Sequence, residues 1–318
     1  MPPDVEAIDL SRGVASADLL QQSAAPGKLP LSCYIRTLNE ERRIGEVIAA
    51  VQDLADEIVI VDNGSTDETV AICTALGARV VHQPWLGNGF QKRVGEEASA
   101  NDWLLDLDGD EIVTRELKDE IRALFAGGEP PGSVYALKLS TVDPTGKEWI
   151  GFGESYRNKL YDRRRHRMPE HRMWDQLELP SDVKPIQLNG RIRHHAFSDF
   201  AHVSNKLNRG SSRRAQYGKQ RSKSALRFRV LFLFPFYFFK HYLQRRFVRG
   251  GTYGFAHAMV AAHGRWLRDA KQYEALLIEE ARARGVILLR WWPRAEYHPE
   301  RVPPRSAEPH TAWHLATN

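Results

Sequence analysis

Cysteine is scarce in this 318-residue sequence, which contains only Cys33 and Cys73. Neither belongs to a CxxC pair, so the sequence excludes a disulfide framework and gives no sign of a cysteine-based zinc site. A continuous apolar core of signal-peptide length is also missing from the N-terminus. Residues 1–29 therefore predict a disordered leader, and we expect the chain to stay in the cytoplasm.

Acidic residues are missing from one long segment. Between Phe200 and Arg268 there is no Asp or Glu, whereas 15 of the 45 Lys and Arg residues lie there. A segment so uniformly basic favours an anionic partner. No RNA- or DNA-binding motif accompanies the charge, so we expect no nucleic-acid partner.

The chain also lacks an apolar run long enough for a transmembrane helix, which needs roughly 20 residues. The run at residues 230–239, VLFLFPFYFF, has ten residues and a basic residue on either side. It predicts an element in the membrane interface, with an aromatic side that includes Phe234, Phe236 and Phe238 toward the lipid. A buried core helix beside a solvated basic face is the alternative.

Strands and helices alternate through the first part of the chain. Apolar runs predict strands at 31–37, 57–61, 78–82 and 103–107, and helical spacing predicts helices at 40–54, 68–76 and 90–100. This alternation is typical of an α/β fold with a parallel sheet covered by helices on both faces. After Gly128 the pattern loosens, with strands at 134–140 and 192–195 and helices from about Val203 to Arg284.

Acidic residues follow the fourth predicted strand, in the sequence Asp108-Gly109-Asp110. Ligands bind beyond the carboxyl ends of parallel strands, and two carboxylates there suit Mg²⁺ or Mn²⁺ with a nucleotide diphosphate completing the shell. A solvated turn is the alternative. Asp106 forms a second DxD with Asp108, but we expect the strand to continue through position 106, so the later pair is preferred.

Polar residues also end the first two strands. Asp62 opens the turn DNGSTD, where its carboxylate is suited to accept hydrogen bonds from a base or ribose. Shaping the turn is the alternative role, and it is the one we favour for Asp67. Asn39 serves equally well as a ligand or as a helix cap.

Three longer stretches resemble a known family. TLNEERRIGEVI, EIVIVDNGSTDET and WLGNGFQKRVGEEASANDWLLDLDGDEIVT resemble, in order and spacing, the nucleotide-sugar domain of family 2 glycosyltransferases, which has the GT-A fold. The resemblance spans about Leu31 to Leu124. The elements GFQK, LYDRR, WDQL and IRHH are similar to those of the branch that adds sugars to the lipopolysaccharide core, the β-glucosyltransferase group.

The resemblance implies a nucleotide-sugar site and a divalent metal, Mg²⁺ or Mn²⁺. The donor-binding residues that it implies are Thr37, Glu40, Asp62, Lys92 and Asp108. Of these, Lys92 would reach the base or the diphosphate, and Asp108 would hold the metal together with Asp110. Asn39 is added as a donor-binding candidate, because its position suits a ligand role as well as a helix-cap role.

The chain departs from the family pattern at four places. Gly109 replaces the usual Ala of the DxD motif, which should be tolerated because it removes only a methyl group. Arg36 stands where the family usually has Pro or another small or neutral residue, and Leu38 stands where Tyr or Lys is common. Trp174-Asp175 falls where the branch commonly shows His-Glu. An inverting transfer needs a carboxylate from the acceptor half as its base, and we assign this role to Asp175, with Glu154 and Glu178 as substitutes.

Two adjacent histidines, His194 and His195, end a predicted strand. Neighbouring residues of a strand point to opposite faces, so at most one of them reaches the metal or the diphosphate. A structural role is the favoured interpretation for either.

The resemblance implies transfer of a hexose from a UDP-sugar, with inversion, to a lipid-linked saccharide on the inner face of the cytoplasmic membrane. Transfer to a polyprenyl phosphate and a non-catalytic nucleotide-sugar or lipopolysaccharide binding protein are the alternatives. The expected organisation is a leader (1–29), a GT-A domain (30–200) with a nucleotide-sugar half (30–128) and an acceptor half (129–200), a basic helical membrane-associating region (201–285) and a flexible tail (286–318).

Overall fold

A computed structural model describes residues 27–285 of the chain. The predicted leader lies outside the described residues except for its last three positions, and the predicted tail lies wholly outside them. The chain divides into two compact units after Tyr273. The described part of the second unit, residues 274–285, is the end of the last helix and the turn that follows it.

The first half of the sheet follows the predicted alternation. Its elements are β1 (Leu29–Thr37), α1 (Ile44–Val51), β2 (Ala55–Asp62), α2 (Thr69–Ala75), β3 (Arg79–His82), α3 (Asn88–Ala98) and β4 (Trp103–Asp108). The four strands are parallel and lie in the order β3-β2-β1-β4. Their apolar residues are buried between the flanking helices, as strands covered on both faces require.

The second half adds four strands and one helix, which are β5 (Glu111–Val113), α4 (Arg115–Phe125), β6 (Val134–Thr141), β7 (Ser155–Asp162) and β8 (Ile186–His194). The full order is β3-β2-β1-β4-β7-β6-β8-β5, in which β7 runs antiparallel to both β4 and β6. The sheet is therefore mixed, although parallel pairs predominate. The sequence prediction missed β5, α4 and β7.

A helical region follows the sheet. It consists of α5 (Phe200–Tyr217), α6 (Lys223–Phe232), α7 (Phe234–Phe239), a π-helical turn (Lys240–Gln244), a 3-10 turn (Phe247–Gly250) and α8 (Gly251–Ala283). Trp149, which lies between β6 and β7, stacks on Phe152 and meets the rings of Phe247 and His257 edge-on. This aromatic cluster packs the helical region against the acceptor half.

The helical region exposes several large apolar side chains within and next to the apolar run. Phe228, Phe232, Phe236, Phe239 and Leu243 are each more than half exposed, and Leu231 is 62% exposed. The buried-core alternative therefore does not hold for these side chains. Tyr237, in contrast, is buried, and its hydroxyl group donates to Asp269 at 2.6 Å. Among residues 27–285, no helix is long and apolar enough to cross a bilayer.

The irregular segment that leads to Asp175 is docked on the N-terminus of α3, where Gly89 permits a close approach. Backbone N–H groups of Asn88 and Gly89 donate to the carbonyl oxygens of Arg172 and His171, both at 2.9 Å. A Cβ atom at Gly89 would lie 2.5 Å from the carbonyl oxygen of Trp174 and closer still to that of Pro169. Only a residue without a side chain permits this approach.

Replacing Gly89 with Ala should therefore destabilise the protein by about 1–3 kcal/mol, the usual cost of overpacking. Gly127→Ala is the matched control, because a Cβ atom there meets nothing within 4 Å. Denaturant unfolding of both variants measures the difference. Equal midpoints for Gly89→Ala and the wild-type protein would show that the segment is not closely docked.

Candidate active site

The carboxyl ends of β1, β2 and β4 bring the predicted donor residues to one edge of the sheet, which we call the donor edge. Thr37 pairs in register with Asp62, and Arg36 pairs with Asp108. Gly109 lies next to this edge, where a Cβ atom would come within 3.0 Å of Thr37 Oγ1 and Glu40 Cγ. The glycine thus leaves room that an alanine would take up.

Asp62 is almost completely buried, and its carboxylate is hydrogen-bonded to the backbone of its own turn. It accepts hydrogen bonds from the backbone N–H groups of Gly64 at 3.0 Å and Ser65 at 3.1 Å. Asp67 similarly accepts from the backbone and hydroxyl group of Thr69, at 3.1 and 2.6 Å. The turn-shaping interpretation of Asp67 is confirmed, and Asp62 contributes to the turn as well.

Asn39 does not cap α1, which begins at Ile44 after a turn. It has a left-handed backbone, with φ of 55°, and its Oδ1 accepts from the backbone N–H of Thr66 at 2.8 Å. The helix-cap alternative was therefore wrong, because residues 40–43 form a turn before the helix starts. Asn39 instead joins the loop after β1 to the loop after β2.

Two buried oxygens at this edge have no hydrogen-bond partner within residues 27–285, namely Thr37 Oγ1 and Asn63 Oδ1. A buried polar atom without a partner is costly, so such atoms point to a ligand that completes them. Glu40 lies beside them. Burial, together with the nearby Asp110 and Asp108 carboxylates, raises the pKa of Glu40 to about 7.

Asp108 is held by Arg36. The Nε and Nη2 atoms of Arg36 both contact Asp108 Oδ1, at 3.1 and 2.8 Å. Burial alone would raise the pKa of Asp108, but Arg36, followed by Lys92 and Lys159, holds it well below its ordinary value. The carboxylate is therefore ionised.

Asp110 faces β8 and α5. Its Oδ2 lies 3.5 Å from Nε2 of His194 and 4.0 Å from Nζ of Lys206, which comes from α5. Burial opposes ionisation of Asp110, but His194 lowers its pKa. In turn, burial disfavours the charged imidazole, yet Asp110 raises the pKa of His194. His194 is thus the histidine that contacts Asp110, whereas the Nε2 atom of His195 is buried without a hydrogen-bond partner among the described residues.

Asp108 and Asp110 can supply only part of the ligand shell of a divalent cation. The contacts with Arg36 fall on one oxygen of Asp108, and those with His194 and Lys206 fall on one oxygen of Asp110. The described residues hold no cluster of three or more His, Cys, Asp or Glu side chains that is suited to a metal. The remaining ligands would have to come from a diphosphate and water.

Lys92 is buried against the sheet, whereas the resemblance implied that it reaches the base or the diphosphate of the donor. Its ammonium group is 2.6 Å from Asp106 Oδ2, and both side chains are at most 2% exposed. Lys159 lies 3.7 Å from Asp106 and 2.7 Å from Glu111 Oε2. Asp106 is thus a structural partner inside β4, and contact between Lys92 and a donor, which would break a buried ion pair, stays a prediction.

Asp175 comes close to this group of residues. Its Oδ2 lies 3.7 Å from Nη2 of Arg36, the guanidinium group that also holds Asp108. Trp174 beside it is 50% exposed, and Glu154 and Glu178 are half-buried and exposed, respectively. In the sequence Arg36 stands out only as a departure from the family pattern, and that departure is the one signal of its place between the two carboxylates.

The comparisons with known proteins agree on the family. The family model described as glycosyl transferase family 2 matches residues 32–176. An uncharacterized glycosyltransferase of Rickettsia felis is 33% identical over 258 residues, which cover 78% of this chain and 90% of the relative. The lipopolysaccharide core biosynthesis glycosyltransferase LpsC of Rhizobium meliloti is 28% identical over 261 residues, 78% of this chain and 93% of the relative.

A solved structure gives a weaker likeness. Glucosyl-3-phosphoglycerate synthase from Mycobacterium tuberculosis, in complex with Mn²⁺, UDP and glucosyl-3-phosphoglycerate, is 26% identical over 35% of this chain and 43% of that chain, with a TM-score of 0.27. This overlap is too small to bear on the donor or the metal. The mostly parallel GT-A-like sheet, the family match and the Rickettsia relative together identify the chain as a glycosyltransferase that belongs to family 2.

Proposed function

We propose that this glycosyltransferase moves a hexose from a UDP-sugar to a hydroxyl group of a lipid-linked saccharide, such as the lipopolysaccharide core, with inversion at the anomeric carbon. The observation that carries the proposal is the grouping of Asp108, from the donor half, and Asp175, from the acceptor half, around one guanidinium group. The name of the Rhizobium relative supports the acceptor class.

The donor would bind at the carboxyl ends of β1, β2 and β4. The unpartnered oxygens of Thr37 and Asn63 support this location, because a ribose hydroxyl or a base N–H would satisfy them. Asp62 and Glu40 lie at the same edge and would contact the donor, whereas Asn39 would hold the loop beside it. The pKa of Glu40, about 7, leaves that carboxyl able to donate a hydrogen bond as well as accept one.

Asp108 and Asp110 would hold Mg²⁺ or Mn²⁺. When bound, such an ion offsets the negative charge of the departing diphosphate. The low pKa values of both carboxyl groups support this assignment, because a metal ligand must be ionised. Lys206 adds positive charge near Asp110, where the imidazole of His194 also lies.

Asp175 would take the proton of the acceptor hydroxyl as its oxygen bonds to the anomeric carbon. The bond from that carbon to the diphosphate breaks in the same displacement, and UDP leaves with the electron pair. A positioned base of this kind is worth about 10²-fold or more in rate. The half-exposed ring of Trp174, one residue before Asp175, is available to stack on the acceptor sugar.

The exposed face of the helical region would rest on an anionic bilayer. Phe228 and Phe232 lie four residues apart on α6, and Phe236 and Phe239 lie three residues apart on α7, so each pair shares one side of its helix. All four side chains are exposed. Exposed basic residues accompany them at Arg227, Arg245, Arg246 and Arg249. An apolar face with cations beside it and no acidic residue from Phe200 to Arg268 is complementary to acidic lipid headgroups.

Activity should require a divalent cation and should fall by at least about 10²-fold in Asp110→Asn, because the variant loses a charged ligand worth several kcal/mol. Asp182→Asn, at an exposed position, is the control and should leave turnover unchanged. Turnover of a UDP-sugar is measured with and without EDTA, followed by restoration with Mg²⁺ or Mn²⁺. Full activity in excess EDTA would refute the metal assignment.

The protein should sediment with vesicles that contain acidic lipid and much less with neutral vesicles, and salt should release part of it. Triple replacement of Phe232, Phe236 and Phe239 with Ser should remove the salt-resistant part. Ile186→Ser is the control, since this side chain is 45% exposed on the distant β8 strand. Equal recovery with neutral and acidic vesicles would mean that the basic segment has another partner.

A further inference from the structure

Arg36 links four elements of the structure through one guanidinium group. From β1 it contacts Asp108 on β4, with Nη2 at 2.8 Å from Oδ1. The same Nη2 atom lies 3.7 Å from Oδ2 of Asp175, in the segment that follows β7. Its Nη1 atom donates to Oδ1 of Asn88, the first residue of α3, at 3.4 Å. The Arg36 side chain is 16% exposed.

The contacts of Arg36 depend on the shape of its guanidinium group, which lysine lacks. A guanidinium group is planar and always charged, and it presents its N–H donors in a fixed fork. Here Nε and Nη2 converge on Asp108 while Nη1 turns to α3. A lysine ammonium is a single point, so it cannot hold these partners in the same arrangement.

Asp175 depends on such contacts for its position. It lies in a stretch without helix or strand between β7 and β8. Asn88 anchors the preceding residues, since its Nδ2 donates to the carbonyl oxygen of Met173 at 3.0 Å and its backbone N–H donates to that of Arg172. The ion pair with Arg36 is the contact that acts on the Asp175 carboxylate itself.

Two carboxylates at one edge repel each other unless a cation lies between them. Arg36 is that cation for Asp108 and Asp175. We propose that Arg36 is a positioning residue for the transfer, which fixes the Asp175 carboxylate of the acceptor half relative to the donor-side Asp108. The proposal rests on the proposed function, in which Asp175 is the base.

The competing role is direct binding of the donor diphosphate by Arg36. The two roles differ in what they predict for UDP. A positioning residue acts through Asp175, so its loss should lower turnover and leave the affinity for UDP almost unchanged. A diphosphate ligand should lose UDP affinity when it is removed, whatever residue stands at position 175.

The experiment is a double-mutant cycle on the full-length protein with Arg36→Met, Asp175→Asn and both together. Arg36→Met and Asp175→Asn should each lower kcat by about 10²-fold, and the double variant should fall no further than Asp175→Asn alone, within about threefold. Arg36→Lys should recover part of the activity, because it restores the charge without the fork. Calorimetry should give UDP affinities in the presence of Mg²⁺ within about threefold of wild type.

Arg122→Met is the matched control, because Arg122 is 17% exposed and pairs with Asp53, away from the donor edge. It should retain wild-type turnover. Circular dichroism checks that each variant is folded, and if Arg36→Met is not, the cycle is run with Arg36→Lys.

The positioning role would be overturned if the losses in kcat of the two single variants multiply in the double variant. A tenfold loss of UDP affinity in Arg36→Met would overturn it as well. Wild-type turnover of Arg36→Met beside a defective Asp175→Asn would overturn it while leaving the base assignment intact. Wild-type turnover of Asp175→Asn would instead remove the base assignment, and with it the residue through which Arg36 is proposed to act.

Discussion

Four acidic residues lie within six positions at the end of β4 and the start of β5, and the cations that balance them determine what each one does. Asp106 and Glu111 are buried against Lys92 and Lys159, so their charges are neutralised inside the sheet. An unpaired charge at this depth would cost several kcal/mol. Asp108 and Asp110 face outward and meet Arg36, His194 and Lys206 at the donor edge. The inner pairs support the fold, and the outer pair is the one that we propose holds a ligand.

The sequence predicted the first half of the sheet well, because strands buried on both faces are continuous apolar runs such as that of Ile58–Val61. It missed β7, whose buried end carries Lys159 and Asp162 among apolar residues and so resembles a loop. The ends of the predicted strands also indicated Asp62, Asp108 and Asp110 as candidate site residues. The pairing of Lys92 with Asp106, and of Arg36 with two carboxylates, depends on tertiary contacts between distant positions, which no local pattern encodes.

The apolar run shows how the choice of period matters. Alternate positions would place Phe234, Phe236 and Phe238 on one side, which is the spacing of a strand. The helical structure instead exposes Phe232, Phe236 and Phe239, while Phe238 packs against the aromatic cluster around Trp149. The prediction of a membrane-interface element still depends on exposed aromatic side chains, but Phe232 and Phe239 take the place of Phe234 and Phe238. Buried Tyr237 and Asp269 hold the run against α8 from the opposite side.

The most direct test of the account is a transfer assay with the full-length protein, membranes from a bacterium that makes lipopolysaccharide, and UDP-hexoses labelled in the sugar. We expect the label to enter the lipid-extractable fraction in step with the release of UDP. NMR of the product made from an α-linked donor should show a β-linkage, because a single displacement inverts the anomeric carbon. Release of free hexose without a lipid product, or a product that retains the α-configuration, would contradict the account.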